Sequence, residues 1–219
     1  MNNSIYSKLD IPDTDRLTSI KQEEAEFIFS FLQENKITST LEIGLAYGCS
    51  AAHILSATKS LHYVIEPFQE RYNNLGLKNI KKIGLDGLLQ LENGCSNVIL
   101  PKLLLQGKKF DFIFIDGGHK YDDIFVDFYY ADLLLNQNGY ILFHDTWMRS
   151  TQMVCAWINT NKSNYKFYPT SLYNFALYQK KGSDNRSWDH FNEFNSVSIA
   201  RFLKNIIYRI MATRKNGTT

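Results

Sequence analysis

The stretch Leu41-Glu-Ile-Gly44-Leu-Ala-Tyr-Gly48-Cys-Ser50 joins a short apolar run to a turn with two glycines, and a helical stretch continues from it to Thr58. A strand that ends in a glycine turn and leads directly into a helix is typical of a β-α-β unit. The pattern recurs along the chain, with strands predicted at 38–43, 62–65, 88–92, 110–115 and 140–143 and a helix after each one. This alternation predicts an α/β fold with a mostly parallel sheet.

Further segments complete the predicted architecture. The series Ser19-Ile-Lys-Gln22 has the spacing of a capping box and predicts a helix that runs to Glu34, while the helix after the second strand is expected at 67–82. Strands at 165–169 and 175–179 are expected to close the sheet as a hairpin. The fold class is therefore predicted to be Rossmann-like, with a seven-stranded sheet, helices on both of its faces and a C-terminal β-hairpin.

Length, charge and cysteine content narrow the class of protein. The 219 residues suffice for one sizeable core, and 24 basic against 22 acidic residues leave a net charge of +2, which creates no field that would recruit nucleic acid. The three cysteines, Cys49, Cys95 and Cys155, lack paired spacing and predict neither a disulfide framework nor a zinc site. The N-terminus has no signal-peptide pattern, and no apolar run reaches the ~18 residues of a membrane span. We therefore expect a cytoplasmic protein.

The predicted domain covers residues 1–182, of which 1–18 form a polar N-terminal extension. Residues 183–219 are predicted to be a polar linker followed by a basic amphipathic helix, whose apolar positions recur at helical spacing and whose other residues include Arg and Lys but no acid. We expect residues 196–217 to pack on the domain or on a second copy of the chain. The alternative is peripheral contact with an anionic membrane surface.

The loops after the first three strands are expected to form a ligand site, because ligands of such sheets bind at the carboxyl ends of the strands, near the point where strand order reverses. Gly44 and Gly48 allow a tight turn there, and Glu66 ends the second strand, where an acid can accept hydrogen bonds from both hydroxyls of a ribose. The third loop, Glu92-Asn-Gly-Cys-Ser96, could border an adenine edge. The spacing G-x-G-x-x-G is missing, which disfavours a dinucleotide and therefore an NAD-dependent enzyme.

These motifs resemble those of the class I S-adenosylmethionine (SAM)-dependent methyltransferases over residues 19–181. The segments Asp116-Gly-Gly-His119-Lys-Tyr121 and His144-Asp145-Thr146 are most similar to small O-methyltransferases of the macrolide-sugar and catechol types, whose fourth strand ends in D-G-x-H-x-Y. The resemblance implies SAM as cofactor and a hydroxyl of a sugar or another small metabolite as methyl acceptor. It also implies these contacts: Glu42, Gly44, Gly48 and Ser50 with the methionine moiety, Glu66 with the ribose, Cys95 and Ser96 with the adenine, and Tyr47 and Asp116 as further cofactor-binding residues.

Three residues are candidates for the chemistry itself. Transfer to a hydroxyl requires removal of its proton, and His119, just past the fourth strand, has the ordinary titration range of a general base. Asp116 and Asp145 end neighbouring strands, about 5 Å apart at the level of the sheet. With His144 beside them they could hold Mg²⁺, although the catechol enzymes carry an amide in place of Thr146 and the sugar enzymes an acid in place of His144. In the alternative, the two acids bind backbone amides and the amino group of the cofactor, and His119 only caps the following helix.

Two other functions fit the same fold. The methyl group could be transferred to nitrogen or carbon, for which His119 and a metal would be dispensable. A protein that binds SAM without catalysis could instead act as an adaptor through its C-terminal helix.

Overall fold

The sheet predicted from the sequence is present in the computed structural model, which describes residues 4–194. Its strands are β1 (Thr40–Ile43), β2 (His62–Ile65), β3 (Leu89–Glu92), β4 (Phe110–Ile115), β5 (Leu135–Phe143), β6 (Tyr165–Tyr168) and β7 (Ala176–Lys180). The α-helices are α1 (Gln22–Glu34), α2 (Cys49–Thr58), α3 (Leu75–Lys82), α4 (Ser96–Leu105), α5 (Tyr121–Leu134) and α6 (Arg149–Asn161). Short 3-10 helices lie at Tyr6–Lys8, Gln69–Tyr72 and Asp86–Leu88.

The strands lie in the order β3-β2-β1-β4-β5-β7-β6. Strands β1 to β5 pair in parallel, whereas β7 runs antiparallel to β5 and forms a hairpin with β6. Strand order reverses between β1 and β4, so the carboxyl ends of these two strands open the crevice in which such sheets bind ligands. The predicted seven-stranded, mostly parallel sheet with a C-terminal hairpin is confirmed.

Helices cover both faces of the sheet, and the side chains of β4 show how the two faces are filled. Phe112 and Phe114 join a core cluster with α1, α2 and α3, while Ile113 and Ile115 join a second cluster with α4, α5 and α6. All four side chains are buried. Because successive side chains of a strand point to opposite faces, a strand buried on both sides needs the nearly continuous apolar run found here.

The predicted start of the first helix is wrong. The helix α1 begins at Gln22, and its first turn is capped by Glu24, whose carboxylate accepts the Lys21 N–H at 2.8 Å. The Ser19 hydroxyl donates instead to the carbonyl oxygen of Asp15 at 2.8 Å. The capping box expected from Ser19 to Gln22 therefore does not form, because the hydroxyl is used in the turn before the helix.

The helix expected at 67–82 is divided into the 3-10 helix Gln69–Tyr72 and α3. Between them, Asn73 and Asn74 have left-handed backbone conformations with φ of 52° and 55°. Asparagine tolerates this conformation better than most residues do, and a right-handed helix cannot continue through it. Strand β5 is also longer than predicted, because it begins at Leu135, directly after α5.

The N-terminal segment packs against the sheet domain. Leu9 and Ile11 are buried and belong to the core cluster of α1, α2 and α3. The amphipathic helix predicted near the C-terminus, with its expected contacts through 196–217, lies outside the described residues. Over residues 4–194, no helix has the length and apolarity needed to cross a membrane.

Candidate active site

Residues 44–48, which we term the glycine loop, follow β1 and lie close against other backbone. Gly44 and Gly48 have φ of 96° and 74°, in the left-handed region that glycine adopts without strain. A side chain on Gly44 would collide with the carbonyl group of Asp116 at the end of β4. A Cβ added to Gly48 would stand 3.0 Å from the carbonyl oxygen of Gly76. Both glycines are therefore required by the packing of the loop on its neighbours.

Glu66 follows β2 and binds the glycine loop directly. Its Oε2 accepts the N–H groups of Leu45 and Ala46 at 3.1 and 3.2 Å, and its Oε1 accepts the Phe68 N–H at 2.6 Å. A carboxylate has about four acceptor positions, so one remains for a further donor. The acid predicted to bind a ribose thus lies beside the loop and also supports it.

Glu42 and Ser50, predicted to contact the methionine moiety, form a buried network beneath the loop. The Ser50 hydroxyl donates to Glu42, and the other oxygen of Glu42 lies 3.0 Å from Nε2 of His62. Burial raises the pKa of Glu42 although both partners act against that rise. Nδ1 of His62 contacts the Thr40 hydroxyl at 2.9 Å. This network ties the start of α2 to β1 and β2.

His144, at the end of β5, joins three side chains from distant parts of the chain. Its Nδ1 lies 2.9 Å from Oδ1 of Asp116, while Nε2 lies 3.3 Å from Oε2 of Glu24 and 2.8 Å from the side-chain amide of Asn174. Burial by itself lowers the pKa of the imidazole, but the charges and hydrogen bonds of Asp116, Glu24 and Asp145 more than offset it and raise the pKa to about 11. The acids around His144 therefore favour the protonated form of its ring.

His119 and Asp145 form a second polar pair on the open side of the site. Nε2 of His119 lies 2.8 Å from Oδ2 of Asp145, and Nε1 of Trp147 donates to Oδ1 of the same carboxylate at 2.8 Å. The hydrogen bond with Asp145 raises the pKa of His119. The His119 side chain is 47% exposed, whereas that of Asp145 is 16% exposed. The structure thus brings the predicted base and one predicted acid together, with one edge of the imidazole open.

The predicted metal ligands also lie close to one another. Ligand atoms of Asp116, His144 and Asp145 are all within 4.8 Å of each other at the carboxyl ends of β4 and β5. The two carboxylates offer oxygen, which is the ligand atom that Mg²⁺ prefers. Both ring nitrogens of His144 lie close to other side chains, and Mg²⁺ prefers oxygen to nitrogen as a ligand atom. The chemistry of the carboxylates fits a divalent cation, and that of His144 does not.

Cys95 and Ser96 lie after β3, beside the end of β2. Cys95 is exposed, and Ser96 is the first residue of α4. The Glu66 N–H donates to the carbonyl oxygen of Glu92 at 3.2 Å, which joins the two strand ends. The Ser96 side chain lies near the carboxyl group of Asp127 on α5, a buried residue. Cys95 and Ser96 thus lie at the edge of the sheet where an adenine contact was predicted.

Glu24 and Asn174 are polar residues of the site that the sequence analysis did not identify. Glu24 lies 120 residues from His144 along the chain, and Asn174 lies 30 residues from it. An acid in the first turn of a helix is ordinarily interpreted as a stabiliser of the helix dipole, and an asparagine before a strand as a turn residue. Only their proximity to His144 in the fold reveals the shared network.

The segment that contains most of this site matches a known protein family. A family model described as a methyltransferase domain matches residues 41–146. The matched segment begins in β1 and ends at Thr146, so it includes the glycine loop, Glu66, His119 and Asp145. No curated protein sequence matches the chain.

Solved structures include several methyltransferases of the same fold. The O-methyltransferase of Bacillus cereus, determined in complex with SAH, is 17% identical with a TM-score of 0.65, and the match covers 74% of this chain and 83% of that one. The O-methyltransferase TomG of Streptomyces achromogenes, involved in tomaymycin synthesis and determined with SAM, is 18% identical with a TM-score of 0.66, and the match covers 83% and 91%. A SAH-bound methyltransferase of Podospora anserina is 16% identical with a TM-score of 0.67, and the match covers 84% and 89%. Residues 41–146 thus match a family of methyltransferase domains, and the described part of the chain shares the fold of these solved methyltransferases.

Proposed function

We propose that this chain is a SAM-dependent O-methyltransferase that acts on a hydroxyl group of a sugar or another small metabolite. The observation that carries the proposal is the pair formed by His119 and Asp145, which meet at 2.8 Å next to Asp116 at the carboxyl ends of β4 and β5. An imidazole that is open on one side and bonded to a carboxylate on the other is suited to remove a proton from an acceptor. Transfer to a hydroxyl requires such a base.

Asp145 determines which nitrogen of His119 acts. Its carboxylate accepts the Nε2–H, so the lone pair of the neutral ring lies on Nδ1. Nδ1 would take the proton of the acceptor hydroxyl while the acceptor oxygen bonds to the methyl carbon. Trp147 donates to the other oxygen of Asp145 and so keeps the carboxylate in the orientation that aligns the ring. A positioned base of this kind typically accelerates a reaction by about 10²–10⁴-fold.

The donor site is proposed to consist of the glycine loop for the methionine end, Glu66 for the ribose, and Cys95 and Ser96 for the adenine. SAM supplies the methyl group on a sulfonium and becomes S-adenosylhomocysteine (SAH). Glu66 suits its role because one acceptor position of its carboxylate remains free beside the loop. Glu42 is fully buried and acts on the donor only through Ser50 and the start of α2.

A cation-assisted form of the same transfer is the second candidate, and the grouping of Asp116 and Asp145 within one small cluster favours it. The two carboxylates would hold Mg²⁺, which orients a diol and lowers the pKa of a hydroxyl. Asp145 accepts two hydrogen bonds, from His119 and Trp147, so the cation would share this carboxylate with the proposed base. Turnover that survives chelation by EDTA favours the base, whereas turnover that EDTA abolishes and Mg²⁺ restores favours the cation.

The first test is calorimetric titration of the purified full-length chain with SAM and with SAH, with Glu66→Ala as the control. Binding that the substitution removes supports the donor site, and an absence of binding to the unmodified chain refutes the proposal.

A panel of sugars and catechols with methyl-labelled SAM then tests the acceptor. Unchanged turnover in His119→Ala would favour transfer to nitrogen or carbon, and binding without turnover across a broad panel would favour a non-catalytic adaptor.

A further inference from the structure

The glycine loop is held by the polar side chains of Glu66 and Gln69. Ala46, in the middle of the loop, has a φ of 43°, a left-handed conformation that residues with a side chain rarely adopt. Its N–H donates to Glu66 at 3.2 Å, and its carbonyl oxygen accepts Nε2 of Gln69 at 2.8 Å. A backbone conformation of this kind persists only where surrounding contacts hold it in place. The shape of the loop therefore depends on its polar neighbours.

The N-terminal segment also contacts the glycine loop, at Tyr47. The Tyr47 hydroxyl donates to the carboxylate of Asp15, and the Tyr47 carbonyl oxygen accepts Nδ2 of Asn79 at 2.9 Å. Asn79 is fully buried and also bonds both backbone groups of Asp10, whose N–H donates at 2.8 Å and whose carbonyl accepts at 3.0 Å. One amide side chain thus links the N-terminal segment to the glycine loop.

The same segment is anchored independently of Tyr47. Leu9 and Ile11 are buried in the core, and Nζ of Lys82 lies 2.8 Å from Oδ1 of Asp10. The ring of Tyr47 packs edge-on against Tyr72, with the ring centroids 5.3 Å apart. Loss of the hydroxyl contact would therefore leave both the segment and the ring packed, while the loop loses one of its restraints.

From these contacts we propose that Asp15 is a positioning residue of the donor site. It acts through Tyr47 to keep the glycine loop in the conformation that binds the methionine end of the donor. Residues 4–20 then contribute to the donor site and do not merely extend the domain. The inference rests on the proposed function, because it concerns affinity for the same donor.

A positioning role and a merely structural role make different predictions for donor affinity. A structural contact contributes to the free energy of unfolding and leaves the affinity of the folded protein for SAH unchanged. A positioning contact also changes that affinity, because a binding-competent loop that is populated only in part lowers the apparent affinity by the same fraction. The two readouts are therefore SAH affinity by calorimetry and the thermal midpoint without ligand.

The experiment compares Asp15→Ala, Asp15→Asn, Tyr47→Phe and the double variant Asp15→Ala/Tyr47→Phe in the full chain. Asp15→Ala and Tyr47→Phe each remove the contact, and each is expected to weaken SAH binding about tenfold. This factor corresponds to the free energy of one hydrogen bond to a charged group. The double variant should bind no more weakly than either single variant, because both substitutions remove the same contact. Asp15→Asn retains an acceptor oxygen and should recover part of the affinity. The matched control is Asp13→Ala, because Asp13 lies in the same segment and its ion pair with Arg16 is exposed.

The outcomes separate this inference from the proposed function. If the unmodified chain does not bind SAH, the proposed function fails and the inference fails with it. If the unmodified chain binds but Asp15→Ala and Tyr47→Phe bind equally well, only the inference is overturned. Additive losses or an equal loss of affinity in Asp13→Ala would also overturn it. Non-additive losses of affinity in chains that remain folded, with partial recovery in Asp15→Asn, are the expected result.

Discussion

The substitution Asp127→Asn is expected to raise the free energy of unfolding above neutral pH. Asp127 lies on α5, is 1% exposed, and is close to Gly117 after β4 and to Ser96 at the start of α4. Burial raises the pKa of its carboxyl group to about 7, and the charge of Asp123 adds to the rise. Asparagine keeps the shape of the side chain and cannot ionise, so it removes the cost of a buried charge.

The magnitude follows from proton linkage. Between about pH 4 and pH 7, folded chains retain a proton on Asp127 that unfolded chains have lost, so the free energy of unfolding falls as the pH rises through this window. The rise of the pKa from 3.8 to about 7 corresponds to about 4 kcal/mol, at roughly 1.4 kcal/mol per pH unit. The full cost applies above pH 7, where Asp127 is ionised in both states. Below pH 4 the residue is neutral in both states and contributes no such cost.

Urea unfolding at pH 5, 6, 7 and 8, followed by circular dichroism, measures this effect. The stability difference between Asp127→Asn and the unmodified chain should grow from pH 5 to pH 8 and approach about 4 kcal/mol at the upper end. Asp122→Asn places the same substitution at an exposed position of the same helix and should follow the unmodified chain. A stability difference that does not change with pH, or a less stable Asp127→Asn at pH 8, would refute the reasoning.

The site offers three more tests. His119→Ala should lower turnover roughly 10²–10⁴-fold and leave SAH affinity unchanged, as measured by steady-state kinetics and calorimetry; an equal loss of affinity would contradict its role as the base. Glu66→Gln should weaken SAH binding tenfold or more in calorimetry, because a hydrogen bond to a charged acceptor contributes about 1.5–3 kcal/mol; unchanged affinity would remove Glu66 from the donor site. Ala46→Gly should raise the free energy of urea unfolding by about 0.5–1 kcal/mol, because glycine adopts a φ of 43° without steric cost; a less stable variant would show that Ala46 is not strained.

The sheet could be predicted because each strand and helix carries its own local signal. The run Phe110–Ile115 is apolar on both faces, and that pattern alone indicates a central strand. Asp116, Asp145 and Glu66 could be assigned to one edge because parallel strands present their carboxyl ends together. The prediction of one helix at 67–82 was wrong because it followed the spacing of the apolar residues. The pair Asn73 and Asn74 inside this segment is itself a turn signal.

The partners of the site residues could not be predicted in the same way. Glu24 and His144 are 120 residues apart, and Asp15 and Tyr47 are 32 residues apart. A contact between side chains so distant in sequence leaves no periodic pattern in a single chain, because it depends on how whole elements pack. The residues predicted at the strand ends lie together in the structure, but the hydrogen-bond partners that orient them had to be found there.

The left-handed backbone of Asp145 brings two consecutive side chains, those of His144 and Asp145, to the same side of the site. Successive residues of an extended strand point to opposite faces, so a simple continuation of β5 would separate His144 from Asp145. Asp145 instead has a φ of 53°, and its Oδ1 lies 3.7 Å from Nδ1 of His144 while its Oδ2 reaches His119. Asparagine and aspartate both tolerate the left-handed region, so Asp145→Asn keeps the backbone and removes the charge. A change in turnover in that variant would therefore report on the carboxylate itself, through its charge and the second acceptor oxygen that an amide lacks, whereas Asp145→Gly would change the backbone as well.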